Sequence, residues 1–150
     1  MNNKIKNAFY IFLPIILGSI IGFIINTDTY QTLVKPPLSP PSWLFPIMWS
    51  IIYLLMGISF YLLKKEDNVD PSTEKLYYLQ LIVNLLWSII FFSLKWRFIA
   101  SIWIIALDIL ILLMINAFLN RKKVSAYLNI PYIVWCLFAT YLTIAIYALN

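Results

Sequence analysis

Charge is missing from long stretches of this chain, and that absence limits its fold more than any motif does. Residues 8–27, 43–63, 76–94 and 124–150 hold no Asp, Glu, Lys or Arg, and a further run begins at Phe98 and is broken only at Asp108. With that run continued to residue 119, each segment is about as long as the roughly 20 helical residues that cross a hydrocarbon core. Five such segments in one small chain exclude a water-solvated domain. Composition agrees: 63% of the 150 residues are hydrophobic and 11% are charged, where a soluble domain is nearer half and a quarter.

The expected fold is therefore all-α, an integral membrane bundle of five transmembrane helices forming a single domain over 1–150, with spans at about 7–26, 43–63, 75–94, 98–119 and 125–148. Lys4 and Lys6 precede the first run in the manner of a signal peptide. The run is too long for that and lacks a small-x-small cleavage site, so it reads as a span. The connectors 64–74, 95–97 and 120–124 are short and predict antiparallel neighbours. The connector 27–42 is the exception, a proline-rich loop expected to lie over one mouth of the bundle. Its prolines fix φ and stiffen the free loop.

Histidine is absent and cysteine occurs once, at Cys136. That excludes zinc centres, histidine-ligated haem, a Ser-His-Asp triad and an intrachain disulfide. No metal site is expected and no cofactor is required. The net charge of +5 reports membrane topology rather than nucleic acid. Lys4, Lys6, Lys64, Lys65, Lys75, Arg121, Lys122 and Lys123 fall on one side, against Lys35, Lys95 and Arg97 on the other. The positive-inside rule then puts the N-terminus in the cytoplasm.

Polar and aromatic residues inside the spans mark candidate sites. Asn84, Trp87, Ser88 and Phe91 share one face of the third span, which either packs inward as polar glue or lines a pocket. Asp108 is the one ionisable residue well inside a span, and it serves either as a hydrogen-bonding group in a cavity or as an interhelical tie. Pro46, Trp49, Tyr53 and Met56/Gly57 align on the second span, and Pro131, Trp135, Ala139 and Leu142 on the fifth. Trp43, Trp96 and Trp103 fit an interfacial belt. Inward-facing Trp49 and Trp135 offer flat apolar walls with one N–H each, suited to a large planar ligand. Gly18 and Gly22 form a small-xxx-small pair, readable as packing within the bundle or as a homodimer contact.

At this point a family comes into view. TYQTLVKPPLSPPSWLFPIMWSIIYLLMG, QLIVNLLWSIIFF, ALDILIL and IPYIVWCLFATYL resemble, in order and at the expected spacing over about residues 29–147, the signatures of the TspO/MBR family, the translocator proteins, peripheral-type benzodiazepine receptors and bacterial tryptophan-rich sensory proteins. The resemblance implies a bacterial-type member in the cell membrane, commonly a homodimer among membrane lipid, with a loop-roofed cavity that takes porphyrins such as protoporphyrin IX and drug-like ligands, and with no nucleic acid partner. It matches Trp49 and Trp135 to the tryptophan pair tied to ligand contact and to light-dependent porphyrin breakdown. It matches Tyr53, Asn84, Trp87, Ser88, Asp108, Ala139 and Leu142 to pocket positions, and Tyr30 and Pro40 to the lid, with Pro46 on the same wall as Trp49. Tetrapyrrole or lipid transport is a further implied activity, but no inverted repeat or broken helix pair supports it. Thr29 and Leu38 stand where the family carries loop tryptophans. No Lys or Arg follows Tyr147, so the sterol-recognition pattern is incomplete.

Overall fold

The computed structural model describes residues 2–67 and 69–150, without the side chain of Thr29. The helices are α1 (Asn3–Ile24), α2 (Leu44–Lys65), α3 (Pro71–Ser88), α4 (Arg97–Leu119), α5 (Lys123–Tyr127) and α6 (Ile130–Leu149). Among the described residues, five segments, the fifth made of α5 and α6 together, are long and apolar enough to cross a membrane.

Local chemistry sets the ends. Asn2 caps α1 by accepting from the Lys4 amide at 3.0 Å, which satisfies one of the free N–H groups of the first turn. Pro71 opens α3, where its missing N–H costs nothing. Asp70 precedes it and accepts from Ser72 and from Thr73 Oγ1 at 2.5 Å. The fifth span, expected as one helix over 125–148, is instead broken at Leu128–Asn129. Pro131 explains the break: it has no N–H to offer the Tyr127 carbonyl four residues back, and its ring crowds that carbonyl. The side chain of Asn129 occupies the break, donating to Ser59 Oγ at 2.9 Å and to the Ser125 carbonyl at 3.0 Å. α3 also departs from a plain helix, passing into a π turn over Ile89–Ser93.

Packing follows the helix periods. α4 buries Ala100, Ile104, Leu107, Ile111, Met114 and Phe118 on one stripe and leaves Ile102, Ile105, Ile109 and Leu112 to the lipid. α1 and α2 lie antiparallel and close: a Cβ on Gly57 would sit 1.9 Å from the Ile11 carbonyl oxygen. Elsewhere α1 is loosely covered, with Pro14 its one buried residue. Gly57 faces α1 at Ile11, as Tyr53 on the same side of α2 faces α1 at Gly18, whereas Pro131 is exposed rather than aligned with Trp135. Trp43 and Trp96 are exposed, whereas Trp103 is half-buried, donating its indole N–H to the Val83 carbonyl at 2.8 Å and tying α4 to α3.

Three ion pairs among the described residues knit one end of the bundle: Lys64–Glu74 at 3.2 Å, Arg121–Asp70 at 3.1 Å, and Lys122–Glu66. At the other end the connector folds into a 3-10 turn, Asp28–Thr32, followed by an extended strap. Tyr30 donates to the Pro40 carbonyl, Gln31 to Ser42, and Tyr141 of α6 to the Pro37 carbonyl at 2.8 Å. The strap is therefore fastened both to itself and to the last helix. Burial raises the Tyr30 phenol pKa above its ordinary value, which keeps the hydroxyl a donor.

Candidate ligand cavity

Beneath this strap lies a cavity of about 400 Å³, inside the range typical of small-molecule sites. Its walls come from α1 (Ile15, Gly18, Ser19, Gly22, Phe23), the strap (Thr27, Tyr30, Ser42), α2 (Phe45, Pro46, Trp49, Ser50, Tyr53) and the end of α3 (Trp87, Ser88, Phe92). Small residues of α1 leave the space and rings of α2 and α3 flatten its far side. Phe23 is 91% exposed, so the cavity is not sealed at α1.

The rings support one another. Trp49 stacks on Tyr53 at 5.6 Å and 27°, and its centroid lies 6.4 Å from both Trp87 and Trp135. Phe45 meets Tyr30 edge-on at 5.3 Å and Trp135 at 6.0 Å. Trp87 stacks on Phe91 at 5.4 Å and meets Phe92 edge-on at 6.1 Å. Such pairs add about 0.5–1.5 kcal/mol each beyond area burial, which keeps the wall flat. The indole N–H groups of Trp87 and Trp135 are buried without a hydrogen-bond partner among the described residues. A second space of about 20 Å³ lies behind the same rings, against Ala139, Leu142, Thr143 and Ile146 of α6.

Tyr30, Pro46, Trp49, Tyr53, Trp87 and Ser88 line the main cavity, and Ala139 and Leu142 line the small one. Trp135 lines neither and backs the wall through Phe45 and Trp49. Pro40 reaches the site only by accepting from Tyr30. Asn84 sits below it, accepting from the Tyr53 hydroxyl at 2.5 Å and donating to Tyr132 at 2.8 Å. It therefore acts as polar glue between α2, α3 and α6. Asp108 ties α4 to α6, its Oδ2 2.6 Å from the Thr140 hydroxyl, while Oδ1 has no partner among the described residues. Among the described residues, no three His, Cys, Asp or Glu side chains converge as metal ligands would.

Wall positions that escaped the sequence reading as ligand residues include Ser19, Gly22, Phe45 and Phe92. Gly18 and Gly22 were visible as a small-residue pair, and the structure divides them. Gly18 packs within the bundle, its virtual Cβ 2.3 Å from Tyr53, while Gly22 meets nothing within 4 Å and opens onto the cavity.

The chain matches the TspO/MBR family over residues 10–149. The chain belongs to that family. It is 40% identical over 122 residues to the tryptophan-rich protein TspO of Archaeoglobus fulgidus, covering 81% of this chain and 79% of the relative. It is 33% identical over 144 residues to the protein of the same name from Bacillus cereus, covering 95% and 94%. It is also similar to the tryptophan-rich sensory protein of Cereibacter sphaeroides, 29% identical over 132 residues, covering 86% and 82%. Family and fold together make the chain a multi-pass, all-α membrane protein.

Proposed function

We propose that this TspO/MBR member is a membrane sensor that binds a porphyrin-type tetrapyrrole, and drug-like ligands of similar shape, in the cavity under the strap. The observation that carries the reading is the wall itself: Trp49 stacked on Tyr53 and flanked by Trp87, Phe45 and Phe92. A planar macrocycle gains most from flat rings and asks for few polar partners. The indole N–H of Trp87, which lines the cavity and has no hydrogen-bond partner among the described residues, is available to a ligand acceptor. Lys35, whose Nζ lies 4.8 Å over the Tyr30 ring, is placed to meet a propionate at the strap. A relative named as a sensory protein supports the sensor role. With no histidine in the chain, metal-free protoporphyrin IX binds at least as tightly as haem. Soret-band titration of both into proteoliposomes tests this, and a haem complex much tighter than the protoporphyrin one, with a histidine-type spectrum, refutes it.

The same reading places the protein in the bacterial cell membrane as a homodimer, with the cation-rich end and the N-terminus in the cytoplasm. Cysteine labelling from each side of the membrane tests the orientation, and native mass spectrometry tests the dimer.

One observation favours a second reading, light-dependent porphyrin breakdown with Trp49 and Trp135 as redox-active indoles. Trp135, Trp49 and Trp87 form a chain with successive centroids 6.4 Å apart. Illuminated protein that bleaches protoporphyrin no faster in the wild type than in Trp49→Phe or Trp135→Phe excludes it.

A further inference from the structure

Four buried polar side chains beneath the cavity form a chain of hydrogen bonds with a fixed direction. Gln80 Nε2 donates to Met56 Sδ at 3.5 Å, the Tyr132 hydroxyl donates to Gln80 Oε1 at 2.7 Å, Asn84 Nδ2 donates to the Tyr132 oxygen at 2.8 Å, and the Tyr53 hydroxyl donates to Asn84 Oδ1 at 2.5 Å. A thioether only accepts, so Met56 obliges Gln80 to present its amide N–H there and its oxygen to Tyr132. Each later donor is then set in turn. At the far end the Tyr53 hydroxyl is committed to Asn84 and cannot swing toward the cavity. Gln80, Asn84 and Tyr132 are each no more than 1% exposed, so no water competes for these bonds.

What the chain holds is the cavity wall. The Tyr53 ring is clamped between Gly18 on α1, with no room for even a methyl group, and the stacked indole of Trp49. Its hydroxyl is held by Asn84 of α3, which in turn is bonded to Tyr132 of α6. We propose that Gln80 and Tyr132, which line neither cavity, are positioning residues for Trp49, acting through Asn84 and Tyr53 to hold the indole at the angle the ligand meets. The inference rests on the proposed tetrapyrrole site for its ligand, but its structural half concerns the ligand-free protein.

The test compares Tyr132→Phe, which removes the hydroxyl at the middle of the chain, with Tyr77→Phe. Tyr77 is equally buried, and its hydroxyl has no hydrogen-bond partner among the described residues, so this variant controls for loss of a buried hydroxyl as such. The near-UV circular dichroism contributed by Trp49, taken as the difference from Trp49→Phe, is read first without ligand. Protoporphyrin IX affinity is read second. Tyr132→Phe is expected to change the Trp49 signal and to weaken protoporphyrin about tenfold, with Tyr77→Phe matching the wild type in both. If Tyr132→Phe does not purify, Gln80→Met removes the acceptor of the Tyr132 hydroxyl and leaves every ring in place, and the same changes are expected. A Trp49 signal identical in wild type and Tyr132→Phe overturns the proposal, as does an equal change in Tyr77→Phe. A wild type that fails to bind protoporphyrin overturns the tetrapyrrole reading alone, and the ligand-free signal still decides the positioning role.

Discussion

Asn150 and Val34 exchange two hydrogen bonds: the Val34 amide donates to Asn150 Oδ1 at 3.1 Å, and Asn150 Nδ2 donates to the Val34 carbonyl at 2.9 Å. The pairing imitates one rung of a β-ladder and staples the strap to the end of α6. Asn150→Ala is therefore expected to free the strap without unfolding the bundle. Amide hydrogen exchange at Val34 should rise about fivefold, the effect of one net hydrogen bond of roughly 1 kcal/mol, while exchange in α4 stays unchanged.

The three glycines give a graded stability series. Alanine at Gly57 meets the Ile11 backbone and forces α1 from α2. Alanine at Gly18 meets the Tyr53 ring, which Asn84 and Trp49 prevent from moving aside. Each is expected to cost about 1–3 kcal/mol as overpacking does, with Gly57→Ala the worse because backbone cannot rotate away. Gly22→Ala meets nothing and is expected to stay within about 0.5 kcal/mol of wild type. Thermal unfolding in one detergent checks the order.

Asp70 supplies a pH signature at the ion-paired end. Hydrogen bonds from Ser72 and Thr73, with the Arg121 charge in support, lower its carboxyl from the ordinary 3.8 to about 2. A depressed carboxyl stabilises the fold above its ordinary value and loses that contribution as pH falls through the folded value. The melting-temperature advantage of wild type over Asp70→Asn should be constant above about pH 5, shrink as pH falls through about 2, and vanish at about pH 1. An undiminished advantage at about pH 2 contradicts the assignment.

Much of this was legible in the sequence, and each miss has its own physical cause. The charge-free runs gave five spans because hydrocarbon tolerates no alternative. Trp49, Tyr53 and Trp87 were legible because helical spacing put them on inward faces. The broken fifth span was hidden because Pro131 is compatible with a first turn as well as with a break, and only the seating of Asn129 against Ser59 distinguishes them. Phe92 was hidden by the π turn, which shifts the face a residue takes without a sequence code of its own. Gln80 and Tyr132 were hidden because a polar group in a span reveals the need for a partner but not which partner. Gly22 was hidden because a small-residue pair cannot say which of its members packs and which leaves space.

Tryptophan-quenching titration of the purified protein with protoporphyrin IX, comparing wild type with Trp49→Ala and Trp43→Ala, tests the central claim most directly. Trp49 forms the cavity wall, whereas Trp43 is 65% exposed and lines neither space. The account predicts saturable quenching, weakened about tenfold or more in Trp49→Ala, as loss of a buried aromatic anchor does, and unchanged affinity in Trp43→Ala. Quenching that never saturates, or that weakens equally in the two variants, contradicts it.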